Sequence, residues 1–131
     1  MKTAKHILII DDDVQLVDSV QTLLESVGYS VSFAYQQEAG IRLAKELKPD
    51  LILLDVMFAG PPGPDGFEVS RIFHQNIELK EIPIIMLSGV RRALDLPFLL
   101  SPDETWMPVR AFLEKPVKPE VLLNKIKEVL A

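Results

Sequence analysis

The stretch that most limits what this chain can become is Leu51-Ile52-Leu53-Leu54-Asp55, where aliphatic residues follow Pro49-Asp50 and end on one carboxylate. A short apolar run bounded by turn residues reads as a strand buried on both faces, the kind found in a parallel sheet. Two more runs share this character: Ile7-Leu8-Ile9-Ile10, ending on Asp11-Asp12-Asp13, and Pro83-Ile84-Ile85-Met86-Leu87, ending on Ser88-Gly89. In open α/β sheets the chemistry lies beyond the carboxyl ends of the strands. Asp55 therefore stands where such a sheet presents reactive groups, although a single Asp there is as readily a turn residue.

Helical patterns separate these runs. Val17, Val20, Leu24 and Val27 recur at helical spacing over residues 14–27, and Gly28 fits a stop just past the helix end. Residues 29–35 alternate, with Tyr29, Val31, Phe33 and Tyr35 on one side and Ser30, Ser32 and Ala34 on a smaller, more polar one, as expected of an edge strand. A second amphipathic helix over 38–48 carries Ile41, Leu43, Ala44 and Leu47 and stops before Pro49. After Asp55, the run Gly60-Pro61-Pro62-Gly63-Pro64 excludes regular structure. Asp65 and Glu68 have the spacing of a capping box for a third helix through Val69, Ile72 and Phe73 to about Asn76. Ala111-Phe112-Leu113-Glu114 forms a short fifth strand running into Lys115-Pro116. Pro119 opens a last helix with Val121, Leu122, Ile126 and Val129 inward.

The alternation is (βα)₅. Helical crossovers make the strands parallel, and right-handed crossovers make a doubly wound α/β sheet with helices on both faces. A length of 131 residues suits one domain with a real core, so 1–131 reads as a single domain. A net charge of −5 argues against direct nucleic-acid binding. Without cysteine there is no disulfide, thiolate metal site or Cys nucleophile. The first apolar run is far too short for a signal peptide or membrane span, so a cytoplasmic protein is expected.

Strand ends then bring Asp11, Asp12, Asp13, Asp55, Ser88 and Lys115 to one edge. Two like charges about 4 Å apart repel by roughly 4 kcal/mol at an effective dielectric near 20, so these carboxylates need a cation. Oxygen ligands without His or Cys suit a hard ion such as Mg²⁺. A carboxylate can attack phosphorus to give an aspartyl-phosphate, with Mg²⁺ and Lys115 neutralising the phosphoryl oxygens.

Asp11-Asp12-Asp13, Leu53-Leu54-Asp55-Val56-Met57, Asp65-Gly66-Phe67-Glu68, Met86-Leu87-Ser88-Gly89 and Phe112-Leu113-Glu114-Lys115-Pro116 fall in order, each at a strand end or helix start. Together they resemble the receiver domain of two-component response regulators, over essentially the whole chain. The resemblance implies a CheY-like, flavodoxin-like fold with strand order 2-1-3-4-5. It makes Asp55 the phosphorylated residue, with Asp11, Asp12 and the Met57 carbonyl completing the Mg²⁺ ligands. It makes Ser88 the hydroxyl that follows the phosphoryl group, Lys115 its ion-pair partner and Phe112 an aromatic switch. It also implies a cis Lys115-Pro116 bond, which is physically reasonable only for X-Pro. The implied function is a signalling switch rather than an enzyme, loaded by a histidine kinase or histidine phosphotransfer protein.

Plainer roles compete. Asp13 and Asp65 fit helix caps, Phe112 fits a core strand residue, and Lys115 alone would be a solvated lysine. His6 and His74 have no partner in sequence and receive no role. The 58–64 loop is longer than the family norm by about three residues, a length at which loops often carry function. Residues 90–110, with Pro97, Pro102 and Pro108, predict an irregular or shortened fourth helix region. Two other functions fit parts of the pattern. Asp11-Asp12-Asp13 resembles the nucleophile motif of haloacid-dehalogenase-type phosphatases, with Asp11 as nucleophile. A receiver-like module binding its partner without phosphorylation fits the altered 90–110 face.

Overall fold

The computed structural model describes residues 4–55, 66–88 and 110–131, without the side chains at 66–68, 70, 88 and 112. Five strands, β1 (His6–Ile10), β2 (Ser30–Ala34), β3 (Leu51–Asp55), β4 (Ile84–Ser88) and β5 (Ala111–Glu114), form one sheet in the order β2-β1-β3-β4-β5. All four pairings are parallel. Helices α1 (Val14–Ser26), α2 (Gln37–Leu47), α3 (Gly66–Gln75) and α4 (Pro119–Leu130) link or follow the strands. The doubly wound sheet and strand order match the sequence-based expectation. The predicted 58–64 loop, the Asp65 cap and nearly all of the 90–110 segment lie outside the described residues.

The apolar strands work because each side chain finds cover. Ile7, Ile9, Leu51, Leu53, Ile85 and Leu87 pack on one face against Val17, Val20 and Leu24 of α1 and Leu122 and Ile126 of α4. Leu8, Ile10, Ile52, Leu54, Ile84 and Met86 pack on the other against Ala44 of α2, Val69 and Phe73 of α3, and Leu79. Successive strand residues point to opposite faces, so a run without polar residues is what a sheet covered on both sides demands. Each fully buried aliphatic side chain contributes about 1.5–3 kcal/mol over an exposed one.

Helix ends follow local chemistry. Asp13 has extended backbone angles and accepts from the Leu16 N–H at 3.1 Å, so it is the N-cap of α1, as its position predicts. Gly28 takes φ +100 directly after α1, and the Tyr29 N–H returns to the Leu24 carbonyl at 3.1 Å. Two sequence expectations need correction. Val121 is 46% exposed rather than inward, whereas Leu122 and Ile126 of that helix are buried and Val129 packs partly buried against the same core. Val27 caps α1 instead of continuing its face and is 52% exposed. β2 lies at the sheet edge as expected, with Phe33 and, just beyond the strand, Tyr35 exposed and Ala34 buried.

Two clasps tie the end of the sheet opposite Asp55. The His6 N–H donates to Asp50 Oδ2 at 2.7 Å and the Asp50 N–H to the His6 carbonyl at 2.8 Å. The His6 ring lies between two hydroxyls of β2, with Nε2 2.9 Å from Ser32 Oγ and Nδ1 3.1 Å from Ser30 Oγ. A histidine without sequence partners is thus a cross-strand fastener.

At the other end, α2 sits directly on β1. A Cβ at Gly40 would lie 2.7 Å from Ile10 Cδ1 and 2.8 Å from each of its γ carbons. Turning the outer torsion of Ile10 moves only Cδ1, so the clash persists. Gly40→Ala is expected to lower stability by about 1 kcal/mol in urea titration, since overpacking of about 1–3 kcal/mol exceeds the roughly 1 kcal/mol that alanine adds in helix propensity. An unchanged midpoint would show that Ile10 yields freely. Lys48, closing α2 at φ 46, holds a left-handed conformation. Lys48→Gly is therefore expected to raise stability by about 0.5–1 kcal/mol in the same titration.

Candidate functional site

Register places the chemistry. Ile10 pairs with Leu54, so the next residues, Asp11 and Asp55, leave adjacent strands at the same level. Asp55 pairs with Leu87 and Ser88 with Glu114, so Ser88 stands one step further out and Lys115 one step beyond the paired Glu114. The two carboxylates emerge from the most apolar part of the sheet and are buried, Asp11 at 0% and Asp55 at 2% exposure. Asp12 is half-buried beside them. One oxygen from each of Asp11, Asp12 and Asp55 lies within 4.8 Å of the other two.

Lys115 faces this group. Its Nζ is 2.9 Å from Asp11 Oδ2 and 3.2 Å from Asp55 Oδ1, and its side chain is only 18% exposed. The aligned hydrogen bond goes to Asp55 Oδ1. Asp11 Oδ2 is closer, but the approach is off-axis, so this buried oxygen has an ion pair and no aligned donor. Asp11 Oδ1 accepts the Asp13 N–H at 2.9 Å, and the Asp11 N–H donates to the Ala34 carbonyl at 3.1 Å. Asp13 thus both caps α1 and orients Asp11, a second task that its place in the acidic run did not reveal.

Burial pushes the Asp11 carboxyl above its ordinary 3.8; the Asp13 N–H and Lys115 pull it down without cancelling that effect, and Asp12 pushes it up. For Lys115, burial acts downward, but the close contact and charge of Asp11, then the charge and hydrogen bond of Asp55, carry the ammonium above its ordinary 10.5. The pairing of Lys115 therefore contributes stability that is whole below 10.5 and fades as pH rises through the folded value.

Among the described residues, three carboxylates meet one ammonium here, and the donors are all oxygen. With a buried Asp11 oxygen lacking an aligned donor, this set fits a small hard divalent cation such as Mg²⁺. Of the other predicted residues, Ser88 ends β4 and Phe112 lies on β5 in register with Met86, while Met57 lies outside the described residues. The Lys115-Pro116 bond is cis, as the resemblance implies. An open cleft of about 470 Å³ beside the site is lined by Asp13, Gln15, Leu16, Ser19, Lys115 and Pro116, among others. His74 is exposed on α3 and takes no part.

The fold and this edge together define a class. The family model of the response regulator receiver domain matches residues 7–127, and the chain belongs to that family. It is similar to Protein PilH of Pseudomonas aeruginosa, 32% identical over 129 residues, which span 96% of this chain and 98% of that protein. It is 35% identical over 127 residues to the DNA-binding dual master transcriptional regulator RpaA of Synechocystis sp., covering 95% of this chain but 48% of RpaA. Among solved structures, a CheY-like receiver domain protein from Methanospirillum hungatei aligns with a TM-score of 0.81 and 30% identity, covering 98% of this chain and 94% of that one. Chemotaxis protein CheY4 of Vibrio cholerae aligns with a TM-score of 0.81 and 25% identity, covering 98% and 100%. Among the described residues, no helix is long and apolar enough to cross a membrane.

Because the folded state favours a neutral Asp11, the unfolded chain ionises first as pH rises from 3.8, and this group weakens the metal-free fold above that point. Asp11→Asn retains an acceptor for the Asp13 N–H and removes the charge. In metal-free buffer its urea midpoint is expected to exceed wild type at pH 7, with the gap shrinking toward pH 4. A lower midpoint at pH 7 would mean that the ion pair with Lys115 outweighs burial.

Proposed function

We propose that this receiver domain is a phosphorylation-dependent switch that takes a phosphoryl group onto Asp55 from a histidine kinase or histidine phosphotransfer protein. The observation that carries this reading is Lys115 Nζ held between Asp11 and Asp55, 2.9 and 3.2 Å away, at the carboxyl edge of a two-sided parallel sheet. Asp55 ends a wholly buried strand, so its oxygens are presented from a rigid base.

In the transfer, an Asp55 oxygen forms the new bond to phosphorus as the bond from phosphorus to the donor imidazole nitrogen breaks, and the imidazole leaves with that electron pair. Asp11, Asp12, Asp55 and the Met57 carbonyl would hold Mg²⁺, which when bound supplies positive charge to the phosphoryl oxygens. Lys115, already at Asp55, neutralises further charge there. The Ser88 hydroxyl moves to a remaining phosphoryl oxygen and Phe112 fills the space it leaves, converting added charge into a changed surface. The new state is read by a protein partner. The cleft along α1 and Pro116 offers the donor an approach that passes Lys115.

The phosphatase reading is the weaker one on this geometry. It leaves Asp55, at the end of a buried strand and hydrogen-bonded to Lys115, without a nucleophilic role, while Asp11 has an oxygen engaged by the Asp13 N–H.

Incubation with a small acyl phosphate and Mg²⁺, followed by intact-mass measurement, is expected to add one base-labile phosphoryl group to wild type. None is expected on Asp55→Asn or without Mg²⁺. Donor turnover that survives loss of Asp55 but not of Asp11 would reverse the roles of the two aspartates. The absence of any adduct would turn the reading toward constitutive partner binding.

A further inference from the structure

The outer side of β2 is an open edge. β2 begins the sheet order β2-β1-β3-β4-β5, and among the described residues no strand pairs with its far side. The Ser30 N–H donates to the Lys5 carbonyl at 2.9 Å, and the Ala34 carbonyl accepts the Asp11 N–H at 3.1 Å. Backbone groups alternate sides along a strand, so the N–H and C=O of Val31 and Phe33 point outward. Natural edges of this kind carry charge, proline or a bulge that keeps other strands away. This one carries none of them. Its register with β1 is unbroken, and residues 26–37 are the longest stretch of the chain without Asp, Glu, Lys, Arg or His.

Residues 29–35 also alternate large and small, symmetrically about Ser32. Tyr29, Val31, Phe33 and Tyr35 share the α1 face, and Ser30, Ser32 and Ala34 the other. Phe33 and Tyr35 are 37% and 40% exposed, with ring centroids 5.2 Å apart. An antiparallel copy related by a two-fold axis at Ser32 sets Val31 against Phe33 and Tyr29 against Tyr35. On the opposite face it sets Ser32 against itself and Ser30 against Ala34. Cross-strand aromatic and β-branched pairs of this kind stabilise a ladder. The outward groups of Val31 and Phe33 then exchange both hydrogen bonds, as opposed residues of an antiparallel pair do.

We propose that β2 is a self-association edge, through which two copies of this chain join antiparallel β2 strands into one continuous sheet. A second copy is the partner that fits, because the two-fold makes this edge complementary to itself. Charge agrees: each copy carries a net −5, and this stretch brings the two together without opposing like charges along the strands. Opposed strand directions send the two Asp55 ends to opposite sides of the dimer, so neither covers the other.

The chain has no cysteine, so one introduced thiol reports the register. Ser32 meets its own mate in a non-hydrogen-bonded pair, with Cα atoms about 4.5 Å apart and within disulfide reach. Mild oxidation of Ser32→Cys is expected to give mostly covalent dimer on a non-reducing gel. Ser30 is more exposed, but lies about 13 Å from its mate, and Ser30→Cys is expected to give little. In sedimentation equilibrium the average mass of wild type is expected to rise toward two chains between about 10 µM and about 1 mM. Phe33→Lys places charge on the edge and is expected to weaken association about tenfold or more. A wild type that stays monomeric throughout that range would overturn the proposal. So would equal cross-linking of the two cysteine variants, or a dimer that Phe33→Lys leaves intact.

Discussion

Two carboxylates at the end of an apolar sheet can be buried only if positive charge is brought to them, and here it arrives on a different strand. Asp11 follows β1 and Asp55 ends β3, where the residues paired behind them, Ile7 to Ile10 and Leu51 to Leu54, are all aliphatic and buried. Lys115 follows β5, two strands beyond β3 in the sheet. Unpaired, each ion would carry a desolvation penalty of several kcal/mol. The architecture follows from that need: parallel strands put all carboxyl ends at one edge, and the register levels Asp11 with Asp55. Among the described residues, one ammonium faces three acids at this edge.

Rigidity at this edge comes from the packing behind it. Both faces of β1 and β3 are covered, one by α1 and α4 and the other by α2 and α3. α2 approaches β1 so closely at Gly40 that no side chain fits there, and Ile10, the residue pressed by that contact, immediately precedes Asp11. At the far edge His6 and Asp50 fasten β1 to β2 and to the start of β3. The acidic group thus rests on strands held at both ends, which suits a site that must distinguish small changes in charge.

Much of this was legible in the chain. Apolar runs ending abruptly in a charge or, for β4, a hydroxyl exposed four of the five strands, because a strand covered on both faces has no alternation to disguise it. β2 was legible as an edge by its alternation, yet the burial of Ala34 and the exposure of Phe33 and Tyr35 depend on helix placement, which alternation does not carry. Asp11, Asp12, Asp55 and Lys115 were legible because each lies at a strand end and the topology converts ends into neighbours. What was hidden needs three dimensions. The second role of Asp13, the fastening of His6 by Ser30 and Ser32, and the absence of space at Gly40 arise between segments distant in sequence or from backbone direction. Val121 was misplaced because helical spacing alone does not locate the edge of an apolar stripe.

The separation of Lys115 from its partners also bears on how the domain comes together. Asp55 and Lys115 are 60 residues apart in sequence, and Asp11 lies further still toward the beginning. A chain emerging from its N-terminus delivers both acids long before it delivers their counter-charge. Until β5 docks, the carboxyl edge of β1 and β3 is better served by water than by burial, even while the aliphatic part of the same strands is driven to pack. In the order of synthesis, the counter-charge to this edge comes last. The residue that neutralises the site also commits the first and last strands to a single cooperative unit.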